Sequence, residues 1–250
     1  MNVQKYLERL KIERVSQPDL HNLKKFHRNH LHNIPFENLD IHYNKKIILD
    51  FDLLEKKILN NNRGGFCYEL NGLFYKLLTG LDYNVKMISA GVYNDEGAPG
   101  ADYDHMALIV KINDDEYLVD VGFGDSFLEP LKFELDIIQK DDAGFFKITK
   151  YRDRYKLSRS SGGKNFKDEY LFSVQEEKLS NFEERCAYLQ TSPESHFTQK
   201  IICSKATENG RITLSDFKII ITQNGVKSEI QLKDKDEFLE SLKKYFGIVL

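Results

Sequence analysis

The spacing of apolar residues changes along the chain, and each period predicts a different kind of element. Val3, Tyr6, Leu7 and Leu10 recur at i, i+3, i+4 and i+7, which marks one buried helical face. Leu20, Leu23, Phe26 and Leu31 continue that character beyond Pro18. Asp50 stands where an N-cap belongs, ahead of Leu53, Leu54, Ile58 and Leu59. After Gly64-Gly65, Leu70, Leu73, Phe74, Leu77 and Leu78 form a strong helical stripe that Gly80 closes.

The middle of the chain reads in shorter, β-rich runs at 84–93, 104–112 and 117–121. Phe145–Tyr151 and Arg154–Ser160 read as a hairpin about Arg152-Asp153. Strands at these spacings predict a small antiparallel barrel or sheet. The last part is mixed. Ser180-Asn181-Phe182-Glu183 reads as a capping box opening a helix that holds Cys186 and ends at Pro193. Strands follow around Ile201–Ser204, Ile212–Leu214 and Phe217–Thr222, then a turn at Asn224-Gly225 and a strand at Ser228–Leu232. Phe238, Leu239, Leu242 and Phe246 mark a closing helix. The changes of period near 83 and 190 divide the chain into a helical part (1–83), a barrel part (84–189) and an α/β part (190–250).

Composition narrows the classes. With 41% hydrophobic and 30% charged residues in 250, the chain is neither disordered nor low-complexity. A net charge of -3 argues against a dedicated nucleic-acid binder. The N-terminus carries charges throughout and no apolar core of a signal peptide, and no run approaches membrane-spanning length. Three widely spaced cysteines, Cys67, Cys186 and Cys203, without any CxxC, fit neither a disulfide framework nor a zinc knuckle. Together these features predict a cytoplasmic protein that binds neither nucleic acid nor membrane.

Cys67 is set apart by its place. It follows Gly64-Gly65 at the first turn of a predicted helix, where free N–H groups and the dipole favour a thiolate and can hold an oxyanion. A cysteine nucleophile needs a base, and the base an orienting acid. His105 and Asp120 lie on adjacent predicted strands. A two-residue turn at Asn113-Asp114 pairs residues whose numbers sum to 227, making Asp120 a diagonal neighbour of His105 on one face. A turn at Asp114-Asp115 would separate them. Asp120 sits among Leu118, Val119 and Val121, where an acid needs a partner. Cys186 and Cys203 read as packing residues.

At these residues the chain resembles a known family. RGGFCYELNGLF around Cys67, DHMALIV around His105 and YLVDVGFG around Asp120 resemble the active-site blocks of the arylamine N-acetyltransferases, at separations of 38 and 15 residues. IPFENLDI, TSPESHF and the closing YFGIVL resemble further blocks of that family. The resemblance implies an α+β fold: a papain-like cysteine-enzyme core of N-terminal helical bundle and β-barrel, plus a C-terminal α/β lid. It implies acetyl-CoA as co-substrate, no metal, and aromatic amines or hydrazines as acceptors in a ping-pong reaction through an acetyl-Cys67 thioester. In that reaction His105 is the base and Asp120 fixes its tautomer.

Matched block by block, Phe36, Val92 and Phe123 correspond to the apolar acceptor pocket, Phe197 to a lid residue and Gly124 to the approach of CoA. Glu37 and Arg63 correspond to a structural ion pair. Lys147, Lys150, Arg152, Arg154, Lys156 and Arg159 make a basic hairpin, read as a solvated strand edge. His21, His27, His30 and His32 lack an accompanying ligand set and read as surface helix histidines. Two other readings share the cysteine, histidine and acid order: a papain- or transglutaminase-like enzyme acting on amide bonds, and a non-catalytic binding module.

Overall fold

The computed structural model describes every residue except Arg14 and Ser16. The first helices begin where a side-chain oxygen takes up a free backbone N–H. Asn2 accepts from Lys5 N–H at 3.0 Å to open α1 (Val3–Arg9), and Asp19 accepts from Asn22 N–H at 2.8 Å to open α2 (Leu20–Asn33). A two-residue strand, β1 (Phe36–Glu37), and a single turn, α3 (Leu39–His42), follow. Asp50 caps α4 (Phe51–Glu55) as its position predicts, and the helix runs on as a wider turn through Lys56–Asn60.

The central helix is α5 (Cys67–Gly80). Its stripe of Leu70, Leu73, Phe74, Leu77 and Leu78 is wholly buried, and the helix packs against α1, α4 and the first barrel strands. Truncating one such residue, Phe74→Ala, removes contacts worth about 3–5 kcal/mol.

Eight antiparallel strands follow: β2 (Asn84–Val92), β3 (His105–Ile112), β4 (Asp115–Val119), β5 (Leu131–Lys132), β6 (Ile138–Asp141), β7 (Gly144–Tyr151), β8 (Arg154–Ser160) and β9 (Lys167–Phe172). Their order is β5-β4-β3-β2-β9-β8-β7-β6. The side-chain amide of Gln139 on β6 bonds both the N–H and the C=O of Lys132 on β5, at 2.8 and 2.7 Å, so the two ends of the sheet nearly close into a barrel. The β3–β4 register pairs Leu108 with Val119 and Ile112 with Asp115, the alignment in which residue numbers sum to 227.

A second sheet has the order β1-β10-β11-β12-β13, formed by β10 (Ile202–Thr207), β11 (Gly210–Ser215), β12 (Lys218–Gln223) and β13 (Val226–Gln231). Phe36 of β1 pairs with Ser204, so the helical region lends a strand to the C-terminal sheet. Two helices precede this sheet, α6 (Glu183–Thr191) and α7 (His196–Gln199). One follows it, α8 (Lys235–Ser241), extended by a wider turn through Leu242–Phe246. Cys203, Leu214 and Ile219 bury against Phe238, Leu242 and Phe246.

Several local expectations are corrected. Ser180 does not cap a helix: Leu179–Phe182 forms a 3-10 turn first, and α6 begins at Glu183 with Phe182 at its N-cap. The basic hairpin is no strand edge, because β6 and β9 flank β7 and β8. Strand β9 carries no sequence signal because it opens on Lys-Asp-Glu, yet it sits in mid-sheet between β2 and β8.

Candidate active site

Gly64 and Gly65 bring the chain into α5 against β1. Glu37 N–H donates to the Gly65 carbonyl at 2.9 Å, and a Cβ on Gly64 would lie 1.9 Å from the Pro35 carbonyl oxygen, so only glycine fits. An ion network braces this entry. Arg63 grips Glu37 at 3.0 and 3.1 Å and reaches Asp40 at 3.0 Å. Lys57 bonds Glu69 at 2.8 Å and Asp40 at 2.8 Å. Glu69 in turn accepts from Phe66 N–H at 3.1 Å, tying the residue before Cys67 to the helix. Burial opposes the charge on Lys57, but Glu69, Glu37 and Asp40 outweigh it and hold the ammonium protonated.

Cys67 is 3% exposed. Its Sγ lies 4.0 Å from the Asp104 carbonyl oxygen, and the Met106 N–H also points to it. The thiol therefore touches the backbone on both sides of His105. Burial pushes the thiol well above its ordinary pKa, although the Met106 and Tyr68 N–H groups pull it down. Burial thus opposes at Cys67 the thiolate that the N–H groups of a helix start favour.

His105 Nε2 lies 2.6 Å from Asp120 Oδ2, with both residues buried. Asp120 Oδ1 accepts from Asn71 Nδ2 and from Gly122 N–H, each at 2.9 Å. Burial raises the Asp120 pKa, but His105, Asn71 and Gly122 outweigh it and keep the carboxyl below the usual range. A Cβ on Gly122 would meet the Cys67 Cα at 2.8 Å, so glycine lets this loop lie against the helix start.

Aromatic rings close the site. Phe123 stands 5.2 Å from His105 and 5.3 Å from Tyr170, whose strand neighbour across the ladder is Val92. Phe36 and Phe66 both meet Phe197, at 6.1 and 5.7 Å. Gly124, with φ 92°, lies over the Phe36 ring. Phe123 thus adjoins His105, Phe36, Phe197 and Gly124 gather with Phe66 at the entry to α5, and Val92 is linked to this site only through its ladder partner Tyr170.

A family model described as N-acetyltransferase matches residues 19–250. A pineal gland arylamine N-acetyltransferase isozyme of Gallus gallus is 31% identical, covering 100% of this chain and 95% of that protein. The chain belongs to the arylamine N-acetyltransferase family. The Salmonella typhimurium arylamine N-acetyltransferase / N-hydroxyarylamine O-acetyltransferase is 28% identical over 97% of this chain and 87% of that one. Among solved structures, a Bacillus cereus arylamine N-acetyltransferase superposes with a TM-score of 0.92 at 27% identity, with both chains fully covered, and is described as having a Cys-His-Glu triad. The family's reaction moves acetyl from acetyl-CoA to an arylamine.

This arylamine N-acetyltransferase also holds site residues that the sequence reading missed. Asn71 bonds the Met106 carbonyl at 2.6 Å, Asp120 at 2.9 Å and Val121 N–H at 2.9 Å. Its signal was its place four residues after Cys67, on the same helical face. His27 and His30, read as surface histidines, are wholly buried. Leu20, Leu23, His27 and His30 continue one i, i+3, i+7, i+10 stripe, which is the signal that places both inward. Cys186 and Cys203 are buried packing residues, and burial pushes Cys186 up to about 12.

Three residues of the basic hairpin are held by local acidic partners. Arg154 pairs with Asp102, Lys156 with Asp168, and Arg159 reaches Asp125 and Glu169. No helix of the described residues is long and apolar enough to cross a membrane, and among them no group of three metal-ligating side chains occurs.

Proposed function

We propose that Cys67, His105 and Asp120 are the catalytic residues of an acetyl transfer that runs through an acetyl-Cys67 thioester. The reading is carried by one observation: the thiol of Cys67 contacts the backbone on both sides of His105, while the far nitrogen of that imidazole is bonded to Asp120 at 2.6 Å.

With Nε2 committed to Asp120, Nδ1 is the nitrogen that takes the thiol proton. The thiolate then attacks the carbonyl carbon of acetyl-CoA. The new C–S bond forms, the bond from carbon to the CoA sulfur breaks, and CoA leaves with the proton returned by His105. Backbone N–H groups at the first turn of α5, Cys67 N–H among them, face the developing oxyanion. An aromatic amine or hydrazine attacks the thioester next and gives its proton to His105, and the bond to Cys67 breaks to restore the thiol. Burial of Cys67 makes the imidazole indispensable, since a lone thiolate would be strongly disfavoured there.

Phe36, Val92, Phe123 and Phe197 form the apolar walls that receive the flat acceptor ring. CoA approaches past Gly124. Next to it, Asp125 meets Arg159 and Arg211 at 3.5 and 3.3 Å, beside a cleft of about 800 Å³ between barrel and C-terminal sheet. Arg159, Arg211 and Lys140 line that cleft together with Asp125, Asp141, Asp142 and Glu208, so its lining carries no net positive charge. The helix bearing the nucleophile against a barrel bearing histidine and acid also supports a papain-like core with the C-terminal α/β part as lid. The three free thiols support a cytoplasmic setting.

Incubation with acetyl-CoA and no amine tests the reading by intact mass. One acetyl group mapped to Cys67 and discharged by an aromatic amine is expected, and none on the Cys67→Ala protein. A folded wild-type protein that acquires no acetyl group overturns it.

A further inference from the structure

His27 lies on α2, far in sequence from the three proposed catalytic residues, and both of its ring nitrogens are engaged. Nδ1 is 3.0 Å from the Leu128 carbonyl oxygen. Nε2 is 3.2 Å from the backbone nitrogen of Asp120. A carbonyl only accepts and an amide N–H only donates. The two contacts together require the neutral ring with its hydrogen on Nδ1. The ring is wholly buried, stacked on Phe127 at 5.4 Å and 10°, with Phe74 edge-on at 6.5 Å.

Its two partners bound one loop. Asp120 begins the segment and Leu128 ends it, and between them lie Gly122, Phe123, Gly124, Asp125 and Ser126. His27 thus pins both ends of the stretch that carries the acid, an aromatic wall and the proposed CoA approach.

We propose that His27 is a positioning residue of the acetyl transfer: as a neutral imidazole it fixes the Asp120 backbone so that the carboxylate meets His105 squarely. This rests on the triad reading above. Asn71 and Gly122 hold the Asp120 carboxylate, and among the described residues His27 is the one that accepts from its backbone N–H. The charged groups facing the ring are Asp120 and Asp141, which favour its protonation; His30 lies on the same helix, and burial opposes the charge. Protonated His27 would set a second donor against the Asp120 N–H, so the bond exists only for the neutral ring.

Two-bond proton–nitrogen NMR on the wild-type protein reads the tautomer directly. A hydrogen on Nδ1 and a bare Nε2 at neutral pH are expected, and a hydrogen on Nε2 overturns the proposal without any variant. The functional arm compares His27→Phe, which keeps the stacking, with His27→Gln, whose carbonyl can accept near the Nε2 position. The readout is the rate of Cys67 acetylation by acetyl-CoA across pH, with melting temperature beside it. His27→Phe should acylate about tenfold more slowly, the size of one ordinary hydrogen bond, with a displaced pH profile. His27→Gln should recover most of that rate. A His27→Phe protein that melts lower but keeps the wild-type rate and profile refutes the positioning role. If wild-type Cys67 itself takes no acetyl group, the triad reading falls instead, and the tautomer alone judges the contact.

Discussion

Two hairpins of this arylamine N-acetyltransferase share a construction and differ in fate. The β3–β4 and β12–β13 hairpins each turn through an asparagine with positive φ, Asn113 at 54° and Asn224 at 50°. In β3 the first six residues are buried, and His105 and Asp120 meet where the ladder ends. In β13 every residue is exposed. Glu229 there is paired with Lys218 and Lys227 at 2.9 and 2.8 Å, and those bonds bring its carboxyl down to about 2. Similar local chemistry thus yields a buried, hydrogen-bonded pair in one place and solvated charges in the other. The difference is desolvation: a buried charge must be met by fixed partners, while an exposed one is met by water.

Asp120→Asn should break the comparison most sharply. It keeps the shape of the buried hairpin but removes the charge that steadies a protonated His105, so kcat/KM should fall by about 10²–10⁴-fold. Steady-state kinetics on a protein with native circular dichroism checks this. Activity within twofold of wild type would place the acid's role elsewhere.

Glu169 offers a middle case. It is largely buried on β9, bonded to Ser126 at 2.8 Å with Arg159 at 3.8 Å, and burial raises its carboxyl to about 7. The folded state therefore holds a proton that the unfolded chain releases near 4.5. Its contribution to stability is full below pH 4.5 and is lost as pH rises through 7. Glu169→Gln should then gain on wild type as pH rises, by up to about 3 kcal/mol between pH 5 and 8. Melting curves at both values measure it, and a difference independent of pH contradicts it. His27 and His30 act in the opposite sense. Burial lowers both, with the Arg9 charge adding to the effect on His30, so their contribution is full above pH 6.5 and is lost as pH falls below it.

The smallest effect belongs to the exposed hairpin. Glu229→Gln should leave both melting temperature and acetylation unchanged, because water replaces what the lysines supplied. A clear loss of stability would show that exposure is not what separates the two hairpins.

Much of this was legible in residue order. The α5 stripe, the Asp50 cap and the β7–β8 hairpin follow from local periodicity and turn chemistry, which act over a few residues, whereas residue order left two turns open between β3 and β4 and the ladder chose the one at Asn113-Asp114. Strand β9 escaped because its Lys-Asp-Glu start carries no alternation, and its place is set by neighbours on β2 and β8. Ser180 misled because a capping pattern needs the helix to begin beside it, and a 3-10 turn intervenes. His27 and His30 read as surface residues by their polarity, while their phase on the helix turns them inward.

The sequence by itself determined the family, the periods of its elements, and which cysteine stands behind a glycine pair at a helix start. Only the tertiary structure decided that the Cys67 thiol is buried beside His105, that Asp120 is held by Asn71, Gly122 and His27, and that a strand from the helical region completes the C-terminal sheet. The reason is physical. Helix phase and turn type are local properties, whereas burial, proton placement and the partners of a buried charge depend on segments as far apart as the 93 residues between His27 and Asp120.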